Sequence, residues 1–261
     1  MDANPSVTRV NMRVFSNRWK LSSLLAAACL FGLTLVSVHA FSAEPEAKKP
    51  APAPAPDWRA LFQAHYGERV KNFREQNQIF QNVVLVGDSI TEGFDVPKVL
   101  PGRRVLNRGI GADVIGNALP ADDKRGVLKR MDESFFDCSA RDAFLLIGIN
   151  DLGDGHTPEV MEAGYRQILE RTKKQAPLLR VHVQSLLPTR DNYAKHNANV
   201  NDFNQRLQKL AKEFEYDFID LHAQMADEKG ELKKELTADG LHINAAGYKI
   251  WKAQLERTMG W

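Results

Sequence analysis

The sequence is poor in cysteine and has almost no net charge, and each shortage excludes a class of protein. Two cysteines are present, and Cys29 lies in an apolar N-terminal stretch, which leaves Cys138 alone in the rest of the chain. An internal disulfide is therefore excluded there, and a hydrophobic core must stabilise the fold. The net charge is +2, with +3 in residues 1–40 and −1 in the remainder. This balance argues against nucleic-acid binding, which needs clustered positive charge.

The residue spacings that hold metals and nucleotides are also missing. The histidines show no H-E-x-x-H spacing. A dinucleotide fingerprint that starts at Gly109 and Gly111 fails because Val114 occupies the position of its third glycine. Thr91 stands where the G-x-S-x-G elbow of an α/β-hydrolase has its second glycine. We therefore predict a protein that uses no metal ion and no cofactor.

The N-terminus carries the features of an export signal. Three basic residues between positions 13 and 20 precede an uncharged run from Leu21 to Ala43. Val38 and Ala40 occupy the −3 and −1 positions of a cleavage site after Ala40. The run is also long enough to span a bilayer, so a retained membrane anchor is the alternative. In both cases the positive flank stays inside, and we expect an extracytoplasmic domain, periplasmic or secreted.

These features divide the chain into three parts. Residues 1–43 are predicted to be the export signal or anchor, and residues 44–57, "EPEAKKPAPAPAPD", a Pro/Ala-rich linker. Alternating proline favours an extended polyproline II conformation and is incompatible with helix. Residues 58–261 then form the folded domain.

Within this domain, short apolar strands alternate with amphipathic helices. Strands are predicted at 83–86, 104–107, 143–147, 180–185 and 216–221. Helices are predicted at 58–78, 122–136, 200–214 and 245–258, with a further helix capped by Thr157. This alternation predicts an α/β fold, a three-layer α/β/α sandwich around a central parallel five-stranded sheet. In such sheets, ligands bind beyond the carboxyl ends of the strands.

The residues that follow the strands supply the groups needed for acyl transfer by a serine. Ser89 follows the first strand, Asn150 the third, and Asp239 and His242 lie in a loop after the fifth. His242 can remove the proton of Ser89, and Asp239, three residues earlier, can fix the tautomer of the imidazole. The Asn150 amide and the backbone N–H of Ser89 are candidate donors to an oxyanion.

Four segments at these positions, "GDSIT", "NRGIGAD", "GIND" and "DGLH", resemble in order the four sequence blocks of the SGNH (GDSL) hydrolase family. The resemblance implies a flavodoxin-like three-layer fold and ester hydrolysis without a metal. It also implies that Ser89 is the nucleophile, His242 the base, Asp239 its partner and Asn150 an oxyanion donor.

One position departs from the family pattern, because Ala112 takes the place of the oxyanion glycine. Alanine also has the backbone N–H, but a positive φ there would strain it. Gly111 is the alternative donor if the loop shifts by one residue. Asp88 and Asp151 are supporting candidates: Asp88 can cap a helix, and Asp151 can orient its loop.

We therefore predict an exported serine esterase that hydrolyses small, acetyl-type esters of carbohydrate or lipid. Its partner is a small-molecule or glycan ester, and it meets a membrane only through an uncleaved N-terminal segment. Residues 185–204 resemble the catalytic subunits of platelet-activating-factor acetylhydrolases, which suggests a homodimer by analogy alone. The alternatives are a catalytically inactive glycan-binding or scaffold protein on the same fold, motivated by Ala112, and a flavin-binding flavodoxin.

Overall fold

The computed structural model describes residues 57–79 and 83–261. The predicted export segment and nearly all of the predicted linker lie outside the described residues. Within the described part of the chain, no helix is long and apolar enough to cross a bilayer. Cys138 is buried and carries a free thiol.

A parallel sheet of five strands forms the centre of the domain, in the order β2-β1-β3-β4-β5. The strands are β1 (Val83–Gly87), β2 (Val105–Gly109), β3 (Asp142–Leu146), β4 (Arg180–Gln184) and β5 (Asp217–Ile219). This is the flavodoxin-like order, in which the chain reverses direction across the sheet between β1 and β3. Ligands bind at such a switch point, beyond the carboxyl ends of the strands.

Eight α-helices flank the sheet within the described residues. They are α1 (Trp58–Gln76), α2 (Ser89–Glu92), α3 (Val96–Val99), α4 (Ile149–Gly153), α5 (Pro158–Gln175), α6 (Asn197–Glu213), α7 (His222–Met225) and α8 (Ala245–Met259). The prediction of an α/β fold with a central parallel sheet is confirmed.

The elements form where local pattern and burial agree. Every residue of β1 is buried, which suits its run of Val and Leu in a sheet covered on both faces. Helix α6 buries Val200, Phe203 and Leu207 at three- and four-residue spacing. Asn244 caps α8 by accepting the N–H of Ala246 at 2.9 Å. Together these elements cover one large apolar core.

The predicted helix over residues 122–136 is wrong. Residues 122–126 form a loop, followed by a 3₁₀ turn at Val127–Lys129 and a π-helical turn at Asp132–Phe136. Gly126 has a φ of +130°, and a Cβ on it would lie 2.7 Å from the Cα of Gly116. This close contact between backbones prevents a regular helix, although the apolar spacing is helical.

Candidate active site

Ser89 lies directly beyond the end of β1, as the first residue of α2. Asp88 caps this short helix, and its Oδ1 accepts the N–H of Ile90 at 2.9 Å. The "GDSIT" segment therefore has the two features expected from its sequence. Asp88 is a helix cap, and Ser89 lies at the carboxyl edge of the sheet. Because it opens a helix, the N–H of Ser89 has no acceptor within that helix.

His242 and Asp239 lie beside Ser89 and form a hydrogen-bonded chain with it. The Oγ of Ser89 is 2.9 Å from the Nε2 of His242, although the two residues are 153 positions apart. The Nδ1 of His242 is 2.7 Å from the Oδ2 of Asp239. A hydroxyl, an imidazole and a carboxylate thus contact one another in the order that serine hydrolases use.

The loop that carries His242 is held mainly by hydrogen bonds between its own residues. The Oδ1 of Asp239 accepts the N–H groups of Leu241 and His242, at 2.9 and 2.8 Å. Gly240 has a φ of +86°, and a Cβ there would lie 2.5 Å from the carbonyl oxygen of Arg190. The "DGLH" sequence therefore needs its glycine for both conformation and space.

Asp239 is ionised at neutral pH. Its partial burial raises the pKa, but hydrogen bonds from the His242 ring and from the N–H groups of Leu241 and His242 outweigh that effect. The pKa of Asp239 is thereby lowered to about 2. A permanent carboxylate at this position favours the tautomer of His242 that carries its proton on Nδ1.

The segment after β2 contains Ala112, in the left-handed conformation with a φ of +59°. The N–H of Gly111 donates to the Oε2 of Glu92 at 2.5 Å. Within residues 57–79 and 83–261, no group accepts a hydrogen bond from the N–H of Ala112. The N–H of Gly111 is thus already bonded to Glu92, whereas the N–H of Ala112 has no acceptor among the described residues.

Asn150 and Asp151, in α4, both contact this segment. The Nδ2 of Asn150 donates one of its two hydrogens to the carbonyl of Asp113 at 2.9 Å, which leaves one free. Asp151 accepts the N–H of Ile115 at 3.1 Å. The structure therefore brings the predicted residues of the first three strand ends together.

A buried ion pair that the sequence analysis missed joins two of these strand ends. Arg130 and Asp113 are 1% and 0% exposed, and the Nη2 of Arg130 is 2.7 Å from Oδ2 of Asp113. The same guanidinium donates to the carbonyl of Gly87 at 3.0 Å and to the Oγ of Ser134 at 2.7 Å. Arg130 lies within the misassigned helix, so periodicity gave no signal for it. The acidic residue in "NRGIGAD" could have indicated that a cation was needed.

Two neighbouring carboxyl groups are buried without such a cation. Burial raises the pKa of Asp88 to about 7, against the opposing effect of its hydrogen bond with the Ile90 N–H. Burial likewise raises the pKa of Asp151 to about 8. The positions predicted as supporting residues are therefore buried acids beside the site.

Helix α1 also contacts the end of β2, which its sequence did not predict. Arg69 donates through Nη2 to the carbonyl of Gly109 at 2.7 Å. The Nε2 of His65 lies 3.0 Å from the Oε1 of Glu92, the residue that accepts the Gly111 N–H. Glu92 lies one turn after Ser89 in α2. That three-residue spacing was the only feature of the sequence that could have placed Glu92 beside the site.

No group of three or more histidine, cysteine, aspartate or glutamate side chains is placed to hold a metal ion among the residues that the structure describes.

The sheet order defines an α/β protein, and Ser89, His242 and Asp239 contact one another at its carboxyl edge in the order that serine hydrolases use. A model of the GDSL-like lipase/acylhydrolase family matches residues 85–250. The chain belongs to that family. The prediction of the family is confirmed.

Two curated proteins are similar in sequence to parts of the chain. An N-acylneuraminate cytidylyltransferase of Escherichia coli is 23% identical over 191 residues, which cover 72% of this chain and 42% of that protein. An isoamyl acetate-hydrolyzing esterase of Saccharomyces cerevisiae is 35% identical over 67 residues, 26% of this chain and 28% of that protein. The chain thus spans less than half the length of each of these relatives.

Solved structures share the fold. A Streptococcus pneumoniae protein with the provisional name platelet activating factor superposes with a TM-score of 0.69 at 24% identity, over 77% of this chain and 96% of that one. An acetyl-xylooligosaccharide esterase of Geobacillus stearothermophilus, solved as a point mutant, gives 0.54 at 18% identity, over 69% and 94%. At these identities the likeness shows the fold.

Proposed function

We propose that this protein is an exported serine esterase that hydrolyses short, acetyl-type esters carried on carbohydrate or lipid. The observation that carries the proposal is the chain of contacts from Ser89 Oγ to His242 Nε2 at 2.9 Å and from His242 Nδ1 to Asp239 at 2.7 Å. Few structural roles need a partly exposed serine, imidazole and carboxylate in this order, whereas nucleophilic catalysis does.

In the proposed reaction, Ser89 Oγ attacks the ester carbonyl carbon while His242 Nε2 takes its proton. The imidazolium that forms is stabilised by Asp239, which stays ionised. Collapse of the tetrahedral intermediate breaks the ester C–O bond, and His242 returns the proton to the departing alcohol. Water, deprotonated by His242, then attacks the acyl-enzyme and releases the acid and free Ser89.

The oxyanion of the intermediate would be bound by three donors, the N–H groups of Ser89 and Ala112 and the Nδ2 of Asn150. The free N–H of Ala112 and the second hydrogen of Asn150 support this assignment. The contact between Gly111 and Glu92 argues against Gly111 as the donor. An alanine can serve because the donor is a backbone group, and its φ of +59° is the conformational cost.

The names of the relatives support an acetyl-type substrate. One hydrolyses isoamyl acetate, and another is an esterase of acetyl-xylooligosaccharides. Of the two carriers, the proposed export favours carbohydrate, since carbohydrate esters are abundant outside the cytoplasm. Export itself follows from the basic flank, the apolar run and the Ala40 cleavage site of the sequence. N-terminal sequencing of protein purified from cell fractions tests it, and a mature start at Phe41 in the periplasm or medium is the expected result.

The decisive experiment compares Ser89→Ala with the wild type on p-nitrophenyl acetate, butyrate and octanoate. We expect turnover of the acetate to fall by about 10⁴–10⁶-fold. Ser139→Ala, at an exposed serine away from the site, is the matched control and should keep wild-type rates. Equal turnover by Ser89→Ala and the wild type would disprove the assignment.

The second candidate is a catalytically inactive glycan-binding protein, which the strained Ala112 favours. A fluorophosphonate probe separates the two, because only an activated serine is labelled. Labelling that disappears in Ser89→Ala supports the esterase, and absence of labelling in the wild type supports the binding protein.

A further inference from the structure

A pocket of about 500 Å³ lies beside the proposed oxyanion segment, and the mechanism above does not use it. Its volume is within the range of about 300–1,000 Å³ that small-molecule sites occupy. The walls come from the first turns of α1 and from the loops that follow β2 and α4. Trp58, Phe62, Gln63, Arg125, Asp154 and His156 are among the residues that line it.

One wall of the pocket is bonded directly to the proposed oxyanion hole. The Nη1 of Arg125 donates to the carbonyl of Ala112 at 2.9 Å, and its Nη2 donates to Asp154 at 2.8 Å. Arg125, a residue of the pocket wall, therefore contacts the residue whose N–H is proposed to bind the oxyanion.

The floor of the pocket offers apolar rings to solvent. Trp58 and Phe62, four residues apart on one face of α1, are 60% and 43% exposed. Flat apolar surfaces of this kind are costly in water and match the C–H faces of a sugar ring. The helix is held in place, because Arg59 pairs with Asp122 at 2.9 Å and Tyr66 donates to the carbonyl of Gly126 at 3.1 Å.

Apart from Leu119 and Pro120, the rest of the lining is polar, and several of its side chains are held by hydrogen bonds. Arg125 is bonded to Asp123, Asp154 and Ala112, and the Nδ1 of His156 lies 3.5 Å from Asp151. These contacts leave the second oxygen of Asp154 and the Nε2 of His156 for hydroxyl groups. A long acyl chain would instead strip water from the charged groups without replacing their hydrogen bonds.

We propose that this pocket binds the carbohydrate part of the ester substrate, with a sugar ring stacked on Trp58 and Phe62. The inference rests on the proposed function and narrows it to glycan esters. It assigns the specificity of the enzyme to α1 and the 119–125 loop.

The primary test is a binding measurement that does not require catalysis. Full-length Ser89→Ala protein is titrated with a partially acetylated xylooligosaccharide in a calorimeter. Adding Trp58→Ala or Phe62→Ala should raise the Kd by about tenfold or more, since the aromatic face that the bound sugar would cover is lost. Leu61→Ala is the matched control: Leu61 is 52% exposed on the same helix but does not line the pocket, so the Kd should change by less than about twofold.

A kinetic test on protein that retains Ser89 shows whether the pocket recognises the sugar or the acyl chain of the substrate. Trp58→Ala should lower the ratio of kcat/KM for the acetylated oligosaccharide to that for p-nitrophenyl acetate by about tenfold. The inference is overturned if the oligosaccharide fails to bind, or if the Kd and this ratio stay at wild-type values. It is also overturned if Trp58→Ala lowers kcat/KM for p-nitrophenyl octanoate instead. A Trp58-dependent Kd in a protein that cleaves no ester would leave the pocket valid and disprove only the proposed esterase.

Discussion

The two halves of the candidate site are built in opposite ways. The half that carries Ser89, Ala112 and Asn150 rests on buried ionisable groups, since Asp88, Asp113, Arg130 and Asp151 are each at most 1% exposed. In the other half, the side chains of His242 and Asp239 are 45% and 51% exposed.

The partners of these groups differ in the same way. Arg130 bonds to residues 17 and 43 positions away, Asp113 and Gly87. Asp239 bonds to residues two and three positions away, Leu241 and His242. One half is therefore part of the core, and damage to it should cost stability. The other is a surface loop, and damage to it should cost activity alone.

The largest effect is expected in the exposed half. Asp239→Asn keeps the Oδ1 acceptor for the N–H groups of Leu241 and His242 but replaces the oxygen that faces Nδ1 of His242. We expect turnover of p-nitrophenyl acetate to fall by about 10³–10⁴-fold, because the imidazole loses its proper tautomer. The free energy of unfolding, from urea denaturation, should stay within about 1 kcal/mol of wild type. A loss of several kcal/mol would contradict the assignment of the exposed half to activity alone.

The next effect is expected in the buried half. Arg130→Met leaves Asp113 without its cation and should lower the free energy of unfolding by about 3–5 kcal/mol. Arg166→Met, at a partly exposed pair with Glu213, is the control and should cost no more than about 1 kcal/mol. Urea denaturation measures both, and equal losses would show that burial of the Arg130 pair is unimportant.

A third prediction concerns pH. The pKa of Asp88 is about 7 in the folded protein, well above its unfolded value near 4. The folded state thus holds a proton that the unfolded state releases, so this group makes the protein less stable as pH rises from about 4 to 7.

Asp88→Asn should remove that part of the decline, which amounts to about 1.4 kcal/mol per pH unit at most. Urea denaturation of both proteins between pH 5 and 8 measures it. The variant should gain stability relative to wild type as pH rises, and parallel curves would exclude Asp88 as the titrating group.

The smallest effect concerns Ala112. Ala112→Gly relieves a φ of +59° but adds freedom to the unfolded chain, and we expect a net gain of up to about 1 kcal/mol. Ala226→Gly, at an alanine with an ordinary φ of −76°, should instead destabilise the protein. Denaturant midpoints measure both, and a loss in both variants would show that Ala112 is unstrained.

How far the sequence could predict the structure differs between the same two halves. The spacing of Asp239 and His242 predicted a contact that the loop makes within three residues. The helix predicted over 122–136 fails because close packing of Gly116 against Gly126 overrides the apolar spacing. Arg130 and Glu92 were missed for a related reason, because their partners Asp113 and Gly111 are 17 and 19 positions away.

The sequence by itself determined the five strands, the parallel α/β class and the Asp239–His242 pair. Each depends on residues that are near neighbours in the chain, through apolar runs, helical spacing or hydrogen bonds across one turn. Only the tertiary structure decided that Ser89 meets His242 across 153 positions, that Arg130 neutralises Asp113, and that a pocket opens beside Ala112. Contacts between distant residues and the burial of charge depend on how the whole sheet is covered, which no short window of sequence contains.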